Sequence, residues 1–412
     1  MYEERNATRA IMVLTTIAAF TSLSGSLVRT LFSIYLDLAG FPATYIGLIA
    51  GGMIMIPLLF SLPAGMISDR YNRELILMIA LMVMAPLMAA IALIKGIWIA
   101  LIVFALGICA SLYSQSIIAL LAEVTQRSRR ATAFGIYYAA LNLSMTIGAF
   151  MSGLLVETIG YEMLFLLSSL FTLIAAIIAI IMLKTRCKQN GGSDTMRYQF
   201  RASAIYEVMR SSRRLRNLLL AILVHDFFVF MAVPFVALFA KKILGINEAE
   251  IGMLLGLQSI IGAFLQPLVG RIADRVGGEA LLIVHVVSTG ALYALYGMSR
   301  DIHDVLLIMI LLGIAFSLDM PARRAMLSEV APRHMLATVN GMADTLVGIG
   351  ALFSPLLSGM LWDMGLARDI FIIGGLLNMG AVVFLLALMR SRSKDQVVLD
   401  REAKKSEMIC QQ

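Results

Sequence analysis

Apolar residues run along this chain in blocks of about twenty, parted by short polar stretches, and blocks of that length cross a hydrocarbon core of about 30 Å as helices. Twelve can be marked, at 9–36, 44–67, 73–94, 97–121, 131–156, 163–184, 217–240, 250–271, 278–298, 303–325, 337–362 and 369–390. The longest polar interruption falls in the middle, from Lys184 to Arg216, and splits the blocks six and six. The pattern therefore predicts an all-α polytopic membrane protein with twelve transmembrane helices in two six-helix bundles. Residues 1–184 and 217–390 form the bundles, with a basic linker at 185–216 and a tail at 391–412.

The two halves repeat one another. Gly65-Met-Ile-Ser-Asp69-Arg70 recurs 205 residues later as Gly270-Arg-Ile-Ala-Asp274-Arg275, and Ile46-Gly47 matches Ile251-Gly252 at the same offset. At an offset of 206, Glu123, Arg127, Gly135 and Gly153 correspond to Glu329, Arg333, Gly341 and Gly359. The bundles are thus expected to be pseudo-symmetric copies. Such repeats, with a site between them near the bilayer midplane, can rock about that site and expose it to either side in turn.

Composition narrows the class further. The chain is 60% hydrophobic and only 14% charged, against about a quarter charged in soluble domains. Lys and Arg collect on the cytoplasmic side of membranes. With both termini inside, the outer loops hold only Lys95, Lys241, Lys242, Arg300 and Arg368 as basic residues. The net charge of +7 then reflects topology, and no nucleic-acid partner is expected. The linker stretch 198–215 reads either as an amphipathic helix on the anionic inner leaflet or as a flexible tether. Arg9 precedes an apolar run too long for a cleavable signal, so the first segment is expected to stay. No disulfide is expected, with Cys109 in segment 4 and Cys187 and Cys410 on the cytoplasmic side. There is no Gly-Lys dipeptide for a phosphate-binding loop and no His-Glu-x-x-His pair among four histidines. Neither an enzyme, an ATP-driven pump, a metal site nor a cofactor is expected.

Charges inside a bilayer cost several kcal/mol and need a partner, an aqueous cavity or a function. Asp226 is the deepest here, preceded by His225 in segment 7; Arg29 lies in segment 1, Asp319 and Arg323 one turn apart in segment 10, and Asp344 in segment 11. Most break the repeat, since Asp226, Asp319, Arg323 and Asp344 stand opposite Thr21, Tyr113, Ile117 and Tyr138. Asp226 is the candidate proton carrier, or else a static ion pair; His225 could share its proton or point at a neighbouring helix. Asp319 and Arg323 can pair within their helix, or gate the cytoplasmic side with Asp344 reaching Arg323, Arg324 or Arg275. Arg29 could meet an anionic substrate group, or be neutralised by Asp226 or Asp37. Tyr113 and Gln115 give segment 4 polarity, whereas Asn142 and Gln258 read as helix-helix contacts.

The loop after segment 2 carries a resemblance. Its Gly65, Asp69, Arg70, Asn72 and Arg73 follow the Gly-x-x-x-Asp-Arg/Lys-x-Gly-Arg-Arg/Lys signature of the major facilitator superfamily, and the chain is similar to that family over nearly its whole length. Asn72 replaces a glycine, as the residue best able to adopt a left-handed backbone, and Glu74 replaces a basic residue. The second copy keeps Gly270, Asp274, Arg275 and Gly277 but has Gly278 and Glu279 in place of the basic pair. The resemblance implies that segments 1, 4, 7 and 10 line a central cavity. It also implies that a network of Asp69, Arg70, Arg73, Glu123 and Arg127 latches the cytoplasmic side in the outward-facing state. Two features of the family's proton-driven drug exporters are missing: a proline in segment 5, where Gly148 and Gly153 stand, and an arginine in segment 4.

The expected function is secondary transport of a small organic solute, coupled to protons, by a monomer in the cytoplasmic membrane, with export of amphipathic compounds favoured. Proton-coupled uptake of a nutrient or organic anion is the alternative, and a transporter-like sensor or scaffold is an alternative of another class.

Overall fold

The computed structural model describes residues 2–125, 130–186, 213–330 and 336–389, which are helical apart from short connecting turns and include no strand. The helices are α1 (Tyr2–Leu38), α2 (Ala43–Leu59 with Ser61–Arg70), α3 (Arg73–Leu93), α4 (Trp98–Val124), α5 and α6 (the two arms of Arg130–Arg186), α7 (Arg213–Lys242), α8 (Glu248–Val276), α9 (Gly278–Met298), α10 (Ile302–Val330), α11 (Leu336–Asp363) and α12 (Ala367–Met389). Most of the linker and the tail, and with them the amphipathic stretch expected at 198–215, lie largely outside the described residues.

Twelve spans thus match the hydropathy pattern, with three departures that have local causes. The apolar stretch Thr132–Ile181 is 50 residues long, more than twice what one crossing needs. It turns at Gly160, whose φ of 77° is open to glycine at no steric cost, and so α5 and α6 are joined with almost no loop. Helix α2 contains Pro57 and bends by 44° at Phe60, because proline removes one intrahelical hydrogen bond. Pro234 likewise interrupts α7 with a single 3-10 turn at Val233–Phe235.

Short polar side chains hold the apolar helices together, as expected where lipid offers no hydrophobic drive for association. Ser22 and Ser26 of α1 donate to the carbonyls of Leu141 and Met145 on α5, at 3.1 and 2.7 Å. Ser24 meets Ser168 and Thr172 of α6, each at 2.7 Å. In the second half Tyr296 donates to the Val236 carbonyl at 2.8 Å, inside a cluster of Phe239, Tyr296 and Phe371 rings. The halves meet along two seams, α2 against α11 and α5 against α8.

Candidate functional site

The even number of spans brings both chain ends to one side, termed here the terminal side. Between the halves, displaced toward the opposite side, lies a cavity of about 460 Å³. Its wall is mostly apolar, with Phe32, Met53, Met145, Leu255, Met309 and Phe316, and its polar points are few: Arg29, Asn142, Gln258 and Gln266. Such a wall suits an organic solute held by shape and oriented by a few polar contacts. Asn142 and Gln258, read from sequence as helix-helix contacts, face this space.

Arg29 opens into the cavity without a carboxylate partner among the described residues. The two expected neutralisers are engaged elsewhere, Asp37 with Lys242 at 2.9 Å and Asp226 with Arg323. Tyr113 and Gln115 do not line the cavity. Tyr113 is buried, and Gln115 lies half-buried beside Gly65 at the α2–α4 contact.

On the terminal side of the cavity four helices converge on a buried polar cluster. Arg323 of α10 donates to both oxygens of Asp226 on α7, at 2.6 and 2.9 Å, and to Asp319 on its own helix at 2.9 and 3.1 Å. The anticipated intrahelical pair is present, and the same guanidinium also ties α10 to α7. His225 and Asp226 are adjacent on a helix and so point about 100° apart. His225 turns away to His285 of α9, at 3.0 Å between Nε2 atoms, and to Asn378 of α12. All of these groups but Asp319 and Arg323 are buried below a tenth of their surface. Phe316 links cluster and cavity, for its ring lines the cavity and packs 6.0 Å from that of His285.

The side opposite the termini is closed by a device that the internal repeat builds twice. Asp363, at the end of α11, accepts from the backbone N–H groups of Ala43 and Thr44 at 2.9 Å each and from the Thr44 hydroxyl at 2.6 Å. Glu157, near the end of α5, accepts from the Ala249 N–H at 3.0 Å. Each carboxylate therefore caps the first turn of a helix in the other half, where unpaired N–H groups and the helix dipole attract an anion. Four residues earlier stand Gly359 and Gly153; a Cβ there would overlap the carbonyl oxygens of Ala43 and Glu248. Lys242 and Asp37 add an ion pair across the halves on this side.

Terminal-side ion pairs among the described residues run within each half. Arg73 joins Asp69, at 2.6 Å, to Glu123, while Arg70 lies over the Tyr71 ring. Asn72 does not take the left-handed backbone inferred for it. Its φ is −64°, and its side chain caps α3 by accepting from the N–H groups of Glu74 and Leu75, at 2.9 and 3.2 Å, a contact typically worth about 1 kcal/mol. In the second half Arg214 reaches Glu279 and Glu329, at 3.4 and 3.3 Å. The cation there comes from α7, since Gly278 occupies the place of Arg73. Arg275 is exposed, and Asp344 is half-buried and engaged. Gly270 lies within α8. Arg127 and Arg333, and the side chains of Asp274 and Arg324, lie outside the described residues.

His285, Asn378, Arg214, Glu157 and Asp363 were not singled out from sequence. A signal existed for the last two alone: Gly153 and Gly359 are repeat partners, each with an acid four positions on.

Comparison with known proteins agrees with this architecture. Residues 14–224 and 218–410 each match the family described as Major Facilitator Superfamily. Multidrug resistance protein 1 of Bacillus subtilis (strain 168) is 24% identical over 368 residues, covering 88% of this chain and 91% of its own. Multidrug resistance protein 2 of the same organism is 24% identical over 323 residues, 77% of this chain and 80% of its own. Among solved structures, a POT family transporter in complex with a thioalcohol-conjugated peptide superposes with a TM-score of 0.80 at 12% identity, over 93% of this chain and 96% of its own. A bacterial homologue of the human lysosomal transporter Spinster, inward-facing and occupied, gives 0.77 at 15% identity, over 94% and 98%.

Proposed function

Because this chain belongs to the Major Facilitator Superfamily, we propose that it exports small amphipathic organic solutes by alternating access, driven by protons moving inward. The cavity between the halves carries this reading: it is apolar, of solute size, sealed on one side, and adjoins a buried cluster of ionisable groups. Relatives bearing the name multidrug resistance protein along most of their length favour export over uptake. A chain that holds both bundles and the cavity can work as a monomer in the bilayer. We take 1–184 and 217–390 as the moving bundles and the basic linker, 185–216, as cytoplasmic. The terminal side then faces the cytoplasm of a cell whose plasma membrane the protein spans, with the sealed side outward. The Asp69–Arg73–Glu123 and Arg214–Glu279–Glu329 groups stiffen the cytoplasmic ends and serve the latch.

Arg29 narrows the cargo. A guanidinium in an apolar cavity, with no carboxylate partner among the described residues, favours solutes with an anionic or strongly accepting group, because charge-assisted hydrogen bonds are the stronger kind. Uptake of an organic anion would use the same contact, and the direction of flux separates the two. In proteoliposomes with an imposed pH gradient, an amphipathic anionic dye should move against its own gradient toward the side from which protons enter. Arg29→Gln should raise its half-saturating concentration by about tenfold or more, the weight of a hydrogen bond to a charged group, and leave a neutral dye unchanged. Absence of protein-dependent flux under either gradient polarity would refute transport altogether.

A further inference from the structure

The hydrogen bonds around His225 and His285 are consistent with one arrangement of protons. Nδ1 of His285 lies 2.8 Å from the Ala315 carbonyl oxygen, which can only accept, so this nitrogen bears a hydrogen. The Thr289 hydroxyl, 3.3 Å from the same nitrogen, can accept as well as donate. Nδ1 of His225 lies 2.8 Å from Oδ1 of Asn378, whose amide is fixed in orientation because its Nδ2 donates to the Val286 carbonyl at 2.9 Å. Flipping that amide would set two acceptors against each other, so Nδ1 of His225 bears a hydrogen too.

A neutral imidazole has a single N–H, and both rings use it at Nδ1. Their Nε2 atoms nevertheless face each other at 3.0 Å, a hydrogen-bond distance at which two lone pairs repel. One added proton turns this contact into an N–H···N bond. Charge balance leads to the same count. The charged groups facing the pair are Asp226 from α7 and Asp319 and Arg323 from α10, which together sum to one negative charge. Asn378 from α12 and Thr289 from α9 contribute none. Asp319 stands 3.8 Å from His285 Nε2 and is placed to balance the added proton.

We infer that His225 and His285 form a binding site for one exchangeable proton, held between their Nε2 atoms. Resting on the proton-driven reading above, this makes the histidine pair, and not Asp226, the stopping place of the coupling proton. Both carboxylates are already held by Arg323. The pair spans α7 and α9, and its counter-ion is on α10. Helices α7 and α10 also wall the cavity, through Val233 and Phe316, so a shift of α7 that draws His225 away from His285 opens the site and discharges it. As the rings part, the N–H bond at Nε2 breaks and the proton passes to water, forming an O–H bond and leaving both rings neutral.

The direct test is nitrogen NMR of the full-length protein in lipid nanodiscs, labelled with 15N at histidine, with His225→Gln and His285→Gln to assign the signals. Near neutral pH the wild-type pair should carry three N–H hydrogens over four nitrogens, with scalar coupling across the Nε2 contact. Raising the pH should remove one of them from both rings together. Two neutral rings with one N–H each near neutral pH would overturn the proposal, and the wild-type spectrum decides this even if a variant fails to fold. In proteoliposomes His285→Gln should keep solute counterflow without a gradient and lose gradient-driven accumulation. Full gradient drive in that variant would remove the pair from coupling while leaving the transporter reading intact. If the wild type moves no solute, the transporter reading fails and the spectrum alone judges the proton site.

Discussion

Arg323→Met is expected to lower the stability of the folded protein by about 3–5 kcal/mol, the cost of breaking a buried ion pair from one side, and to abolish gradient-driven transport. The substitution keeps an unbranched apolar stem and removes the guanidinium with all its donors. Asp226 and Asp319 would then stand together inside the bundle with nothing between them, whereas Arg323 now gives each two hydrogen bonds. The apparent thermal-unfolding midpoint in detergent would report the loss. Adding Asp226→Asn and Asp319→Asn to the same protein should recover much of the stability, since neutral groups of like shape replace a buried ionic set at little net cost. It should not recover coupling, because the charge that balances the histidine proton would be gone. An Arg323→Met protein as stable as wild type would mean that water reaches the cluster freely.

Gly359→Leu should hold the protein open on the side now sealed. Its side chain would have to occupy the space of the Ala43 carbonyl, and backbone cannot step aside as a flexible side chain does. Overpacking usually costs about 1–3 kcal/mol, enough on its own to move a two-state population by about fivefold to a hundredfold. Spin labels at residues 39 and 366, in the turns before α2 and after α11, should report longer and broader distances in Gly359→Leu than in wild type. Gly153→Leu should do the same at the α5–α8 seam, and transport should fall in both while the helical content stays. Unchanged distances would show that the two seams do not set the closed state.

How much of this could be read in the chain differs by level. Twelve spans follow from hydropathy because lipid demands that each crossing satisfy its own backbone, and the bends follow from Pro57, Gly160 and Pro234. Asp226, Asp319 and Arg323 stood out as charges that break the repeat. That Arg323 also reaches across 97 positions to Asp226 could not be seen, since hydropathy says which residues lie in the membrane and not how each helix is turned. His285 gave no signal at all: a single histidine in an apolar helix has no spacing to mark it, and its meaning comes only from the ring it faces. The role of Asn72 was misread because substitution for glycine suggested backbone freedom, while its position just before α3 offered a capping bond instead.

The two cross-half caps have a further consequence. While the seal holds, the first N–H groups of α2 and α8 are bonded to carboxylates and closed off from bulk water; when it opens, Asp363 with its three donors and Glu157 with its one must be rehydrated. Opening is thus an exchange of protein contacts for water, and the equilibrium between states depends on water activity. Osmolytes too large to enter the gate should favour the sealed form, so that solute export by this protein would slow as the medium outside grows more concentrated.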